Sequence, residues 1–334
     1  MLIKTISSLL FMFIPIICFG FEDSCTNPKD YTIDRRCYVS DETWAKLPHK
    51  YVLKMYDKEI DLVFCAANMV SGKIVTAQHC FNDRDLKNVE FIAFDGTIIT
   101  AEKLNIYTDE WGFSPDFWDD WAVLTPKPEF KSFVTDNSIY NIKDISNDSQ
   151  QTYITIGCGG LKILSDEEIE KFKNTYTEFL KNNTKYKESS AFGDFTDEAT
   201  VDITTAIMKH DFLEDIEPYL QKTGMGTSQD IFVDSNNLKL SVCDTALEYE
   251  GIEDKNWGFS RCQSWHGNSG GGMYGVPRTQ NIQSGISCKA PECEFFGVFT
   301  IGRSLISTDP KMHTGGKIIF SLPSEQFKSY LDSE

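Results

Sequence analysis

Positive charge is what this chain is shortest of: 32 lysines and arginines stand against 50 aspartates and glutamates, for a net charge of −18. So acidic a protein makes a poor partner for nucleic acid or for anionic membrane surfaces, because both repel it. Basic substrates would be drawn to it, although an acidic surface that only solubilises the protein explains the same balance. Histidine is scarce as well. Of the five present, His49, His210, His266 and His313 show no metal-ligand spacing, so no metal is expected. Beyond residue 20 the chain also lacks any apolar run long enough to cross a bilayer.

What is present begins with an export signal. Lys4 supplies a positive start, Ile6 to Ile17 an apolar stretch, and Cys18-Phe19-Gly20 a small-residue cleavage site. Residues 1–20 therefore read as a secretory signal peptide, and the mature product is expected to be soluble and secreted, extracellular or periplasmic. Bulky Ile17 speaks against lipid attachment at Cys18. Ten cysteines in an exported chain argue for disulfides. Losing Cys18 with the signal leaves nine, so at least one thiol should be free or paired between chains. Cys288 and Cys293 are spaced for a short local bridge, and Cys243 with Cys262 forms a second candidate pair.

Residues 21–50 contain Pro28, Pro48 and two cysteines, and read as an irregular N-terminal arm or propeptide-like segment. Short β-type runs follow at Tyr51 to Met55, Leu62 to Asn68, Lys73 to Thr76, Val89 to Phe94, Thr97 to Ile106, Asp120 to Thr125 and Thr152 to Ile156. Many short strands at this spacing predict a barrel or sandwich. Between Ser165 and Gly226 the character changes. Ser165 followed by Asp166-Glu167-Glu168 is a helix start, a serine cap with acidic residues in the first turn. Ile169, Phe172, Tyr176, Phe179 and Leu180 then recur at helical spacing, and a second helix is predicted around Ala206 to Gln221. β-character returns at Leu238 to Cys243, Gly270 to Val276, Phe295 to Thr300 and Lys317 to Leu322. Ser324 to Leu331 predicts a short C-terminal helix.

Three short stretches carry chemistry. Gly267-Asn268-Ser269-Gly270-Gly271 sets a serine in a turn of small residues, which folds tightly and leaves the amides of Gly267 and Ser269 free to face an oxyanion. Alone, such a stretch is more often just a turn. Upstream, Thr76-Ala77-Gln78-His79-Cys80 offers a histidine and Asp120-Trp121-Ala122-Val123-Leu124 an aspartate. A serine hydroxyl needs a positioned base at neutral pH, and the base needs an orienting partner.

In these blocks and their order, from about Tyr51 to Leu331, the chain resembles the trypsin/chymotrypsin-like serine proteases, with their TAxHC, DxAxL and GDSGG stretches. The resemblance implies an all-β fold of two antiparallel β-barrels of the six-strand type, with the catalytic cleft between them. The protease domain would occupy 51–334, with a helical insertion at about 160–235 and a short C-terminal helix. The insertion would follow Gly157-Cys158-Gly159, which looks like the family's GWG turn. Its role as a lid, exosite, docking surface or silent elaboration stays open.

The resemblance also implies a catalytic triad of His79, Asp120 and Ser269, oxyanion-hole amides on Gly267 and Ser269, and a Cys65–Cys80 disulfide pinning the histidine loop. Asp120 fits the family block better than Asp119, because Ala122 and Leu124 follow it at alternate positions. Gln263 and Ser264 would floor the specificity pocket, Thr300 would support the aspartate, and Ile301-Gly302 would pair with substrate backbone. With Gln263 at the pocket base, a preference for Arg or Lys is not implied. Phe299 stands where glutamate-specific relatives carry a histidine. Asn268 departs from animal digestive relatives, whose aspartate there pairs with a newly cut N-terminus, and is shared with V8-like bacterial secreted proteases.

The implied function is a secreted serine endopeptidase that cuts protein or peptide substrates through an acyl-enzyme, with no cofactor. Neither nucleic acid nor membrane is an expected partner of the mature form, and the oligomeric state is open. Two rivals share these residues. One is a catalytically inactive trypsin-fold binding protein, disabled by a misformed oxyanion hole or by occlusion of the cleft. The other is an esterase using the same triad, for which no lipid-binding surface speaks.

Overall fold

The computed structural model describes residues 36–82, 84–106, 120–143, 151–159, 162, 164–186, 201–202, 210–232, 236–242, 257–260, 267–277, 293–303, 305–306, 317–321 and 324–333. Strand β1 (Arg36–Tyr38) and helix α1 (Asp41–Trp44) come first. Seven strands follow: β2 (Val52–Asp57), β3 (Leu62–Val70), β4 (Lys73–Thr76), β5 (Val89–Ile92), β6 (Ile98–Ile99), β7 (Ala101–Ile106) and β8 (Ala122–Pro126). They form one antiparallel sheet in the order β6-β5-β2-β3-β4-β8-β7. Strands β6 and β7 lie at its opposite edges, yet only Thr100 separates them in sequence. One residue spans only a few ångströms, so the two edges must meet there and the sheet curls into a barrel.

After helix α2 (Lys131–Asp136), the second sheet draws on β9 (Gln151–Cys158), β11 (Leu238–Val242), β12 (Trp257–Ser260), β13 (Gly272–Pro277), β14 (Glu294–Arg303) and β16 (Lys317–Ser321). Its order is β1-β11-β9-β13-β14-β16-β12, again antiparallel. Two short strands, β10 (Val201–Asp202) and β15 (Leu305–Ile306), pair separately. The all-β double-barrel fold with small helices is the one expected. Each sheet has seven strands instead of six for identifiable reasons. The single run expected over Thr97 to Ile106 breaks at Thr100, and β1 adds to an edge of the second sheet.

The described part of the N-terminal arm, 36–50, is not irregular. Cys37, Trp44 and His49 are buried, and the Trp44 indole donates to the Val52 carbonyl at 3.2 Å. Sequence patterning missed these elements because β1 is three residues and α1 four, too short to show a period.

Strand β3 is buried on both faces, since it lines the first barrel and also packs against the second sheet. One apolar core therefore runs through both sheets, from Val52, Met55, Ile74 and Val123 to Ile154, Tyr274 and Phe295. A second core lies in the helical block made by α3 (Asp166–Asn182), α4 (His210–Lys222) and α5 (Ser228–Phe232). Helix α3 starts as its sequence demands, with a reciprocal capping box between Ser165 and Glu168. Helix α6 (Glu325–Asp332) is capped by Ser324, whose hydroxyl accepts from the Phe327 amide.

Cys65 and Cys80 form a disulfide with each other, and Cys37 and Cys293 are each engaged in a disulfide as well. Cys243, Cys262 and Cys288 lie outside the described residues. One described thiol is free, that of Cys158, and burial pushes it up to about 12.

Candidate active site

Strand β4 ends at Thr76, and a tight 3-10 turn over Gln78–Phe81 follows. His79 sits in that turn beside Cys80, whose disulfide to Cys65 ties the turn back to β3. Asp120 stands just before β8, and β8 is the ladder neighbour of β4, with Thr76 opposite Ala122. Strand pairing thus delivers the aspartate to the histidine. The carboxylate holds His79 twice: Oδ1 accepts from the backbone amide at 2.8 Å and Oδ2 from the ring Nδ1 at 2.5 Å. A carboxylate oxygen only accepts, so Nδ1 is the donor in this contact and Nε2 is the ring nitrogen that Asp120 does not engage. The Asp120 side chain is 11% exposed and that of His79 36%, so the pair is sheltered on one side and open on the other.

Trp121 fixes the aspartate from behind. It is fully buried, edge-on to Phe327 at 5.3 Å and tilted against Tyr330 at 5.9 Å. The C-terminal helix therefore braces the strand that presents Asp120.

The Gly267–Gly271 turn leads into β13 and is docked on the histidine-bearing sheet. The Ser269 carbonyl accepts from the Ala66 amide of β3 at 2.8 Å, and the Gly270 amide donates to the Phe299 carbonyl of β14 at 2.9 Å. Gly270 has φ +78, and a Cβ there would stand 2.0 Å from Thr76 Oγ1 and 2.1 Å from the Ala66 carbonyl. Only glycine fits so close an approach in that conformation. Gly271 closes the turn by donating to the Asn268 carbonyl at 2.9 Å. By contrast, the amides of Gly267 and Ser269 donate to no group among the described residues. These are the two amides expected to face an oxyanion. Gly267 is pressed on the Gly157–Gly159 turn: with φ +95, its Cβ would lie 2.8 Å from Gly159 Cα. Asn268 is buried beneath the turn at 3% exposure, and its Oδ1 has no hydrogen-bond partner among the described residues.

The remaining expected residues are less gathered. Thr300 is buried in β14 and its hydroxyl donates to the Val298 carbonyl at 3.4 Å. Ile301 and Gly302 continue β14, opposite Ile319 and Ile318 of β16. Gln263 and Ser264 lie outside the described residues, as does the competing carboxylate Asp119. Cys65, Cys80 and His79 bring possible metal-ligand atoms within 4.8 Å of one another, but the two sulfurs are bonded to each other and are not available as ligands. Sequence reading passed over Asn68, the one polar residue in the buried run Val63 to Val70 of β3. That polarity in an otherwise apolar strand was the available signal.

No protein-family model and no curated protein sequence matches this chain. Solved structures with a similar course include a Glu endopeptidase in complex with MPD, 12% identical, covering 90% of this chain and 95% of that one at a TM-score of 0.43. The secreted serine protease VesC from Vibrio cholerae is 11% identical over 89% of this chain, at a TM-score of 0.41. This chain spans about half of its length, 47%. Protease Anisep from Arthrobacter nicotinovorans is 12% identical and covers 84% of this chain and 93% of its own, at 0.42. The fold rests on the strand order and register above, not on these likenesses.

Proposed function

We propose that this chain is a secreted serine endopeptidase of the trypsin/chymotrypsin type, with His79, Asp120 and Ser269 as its triad. The observation that carries the reading is the joint arrangement of the Asp120–His79 pair, delivered by the neighbouring strands β4 and β8, and the Ser269 turn, docked on β3 beside β4. Ser269 Oγ attacks the scissile carbonyl carbon while His79 Nε2 takes its proton. The carbonyl oxygen, now negative, receives the free amides of Gly267 and Ser269. Collapse of this intermediate breaks the C–N bond, and the imidazolium returns its proton to the leaving amine. Water, deprotonated by His79, then hydrolyses the acyl-enzyme and frees Ser269. Asp120 stabilises the imidazolium without taking its proton.

This chemistry uses no cofactor, and its substrates are proteins or peptides met outside the cytoplasm. Asn268 carries no charge, which supports kinship with V8-like secreted proteases at this motif; the turn is shaped instead by Gly267, Gly270 and Gly271 against their backbone neighbours. Gln263, Ser264, Thr300, Ile301 and Gly302 are the proposed substrate-contacting residues.

Hydrolysis of a peptide library by the purified protein tests the reading. Cleavage that disappears in Ser269→Ala and in His79→Ala, by about 10⁴-fold or more, is the expected result. Folded, disulfide-bonded protein that cleaves nothing would contradict it and favour the inactive binding protein, and turnover of small acyl esters alone would favour the esterase.

A further inference from the structure

The side chain of Asn68 is a junction between the two halves of the site. It is fully buried near the C-terminal end of β3. Its Nδ2 donates to the Gly270 carbonyl at 2.8 Å and to the Val75 carbonyl at 3.3 Å. Its Oδ1 accepts from the Tyr274 hydroxyl at 2.7 Å. Val75 belongs to β4, the strand that leads into the His79 turn, and Gly270 follows Ser269 directly. Tyr274 belongs to β13, the strand into which the serine turn runs. One amide group therefore touches the strand of the base, the turn of the nucleophile and the strand behind that turn. Both amide hydrogens are used and the oxygen is matched, so the group is satisfied in a single orientation.

The packing around this junction leaves no freedom. A Cβ on Gly272 would meet Asn68 Oδ1 at 2.4 Å and the Tyr274 ring at 2.6 Å. The third glycine after Ser269 is thus explained by the space that Asn68 and Tyr274 occupy, since its φ lies outside the left-handed region. The Tyr274 ring is itself fixed, edge-on to Phe295 at 5.8 Å and stacked on Tyr51 at 6.5 Å. Burial pushes its phenol well above the ordinary range, so it stays a neutral donor to Asn68.

We propose that Asn68, oriented by Tyr274, is the positioning residue that sets the Ser269 turn against the strand carrying His79. The proposal rests on the reading of Ser269 as the nucleophile. Neither residue reaches the reacting atoms; each acts through the Gly270 carbonyl. The Ala66 amide holds the Ser269 carbonyl from the same strand, two residues earlier, so β3 grips the turn at two consecutive carbonyls. Losing the Asn68 half of the grip lets the turn pivot about the Ala66 bond and carries Ser269 Oγ out of line with the imidazole.

The test compares Asn68→Leu, Asn68→Asp and Tyr274→Phe with the unmodified protein. Leucine keeps the shape and leaves three polar groups unmatched, whereas aspartate turns acceptors toward the Gly270 and Val75 carbonyls. Tyr274→Phe keeps the ring and removes one hydrogen bond. Peptide hydrolysis should lose kcat by about 10- to 100-fold in the two Asn68 variants and about 3- to 10-fold in Tyr274→Phe, with KM changed less than about twofold. Hydrogen exchange at the Ala66 and Gly270 amides, which report docking of the turn independently of any activity, should accelerate in the same order. Unchanged kcat in folded Tyr274→Phe and Asn68→Leu, or a loss confined to KM, would overturn the proposal. So would unaltered exchange at those two amides, and this readout holds even for a protein that hydrolyses nothing, where the endopeptidase reading alone would fall.

Discussion

At the seam between the two sheets, buried polar atoms reach across the interface: Asn68 to Gly270, Tyr274 to Asn68, Ala66 to Ser269. Glycine appears there because added atoms have nowhere to go. The helical block after β9 is assembled otherwise. Its interior is Phe172, Tyr176, Phe179, Tyr186, Phe212 and Phe232, ring against ring at 4.9 to 6.3 Å, and its core cluster shares no residue with that of the sheets. Apolar packing asks for volume, whereas buried hydrogen bonds ask for position. Substitutions at the seam should therefore strike activity, and substitutions in the helical block should strike local stability.

The sharpest way to break this contrast is Gly270→Ala. A methyl group 2.0 Å from Thr76 Oγ1, on a residue at φ +78, forces the serine turn off β3. Hydrolysis should fall at least about 100-fold, the scale of losing oxyanion alignment, and near-normal turnover in this variant would break the contrast. Phe212→Ala should do the reverse. It empties the middle of the aromatic cluster and should cost the helical block about 3–5 kcal/mol, read by hydrogen exchange in α3 and α4. Hydrolysis should stay within about threefold, because no group at the seam loses a partner.

Acid should act on the sheet side. His49 is buried in the described part of the arm, and neither ring nitrogen has a hydrogen-bond partner among the described residues. Burial, helped by the Lys46 ammonium, pushes it down to about 4 from 6.5. The unfolded chain therefore binds a proton that the native protein refuses between those values, and stability is lost as pH falls from about 6.5 through about 4. The span corresponds to at most about 3.5 kcal/mol at roughly 1.4 kcal/mol per unit. His49→Leu should flatten this part of the stability–pH curve, measured by urea unfolding, and an unaltered slope would count against the buried neutral ring. The smallest effect is expected for Ser165→Ala. Removing the capping box at the start of α3 should cost about 1 kcal/mol in the helical block and leave hydrolysis untouched.

Much of the architecture could be read in advance, for local reasons. Strand runs such as Lys73 to Thr76 and the periodic α3 face show their periods within a few residues, and the Ser165 cap marks its helix start unaided. His79 and Asp120 are legible because each sits in a distinctive stretch. The structure adds that β4–β8 pairing brings them together. What stayed hidden depends on partners distant in sequence. Asn68 bonds to Gly270 and Tyr274, more than 200 residues away, and nothing near residue 68 announces them. Strand β1 was invisible for a similar reason, since three residues become a strand only when β11 offers an edge. The break at Thr100 follows from barrel closure, a property of the whole sheet that no window of sequence contains.

The central claim is that Ser269 is a nucleophile activated by His79, and covalent labelling tests it most directly. The purified protein is treated with a fluorophosphonate, and the modified residue is located by tandem mass spectrometry, beside His79→Ala and Ser269→Ala. Phosphonylation at Ser269 alone, lost in both variants, is the expected result. A folded, disulfide-bonded protein that takes no label, or takes it at another residue, would contradict the claim.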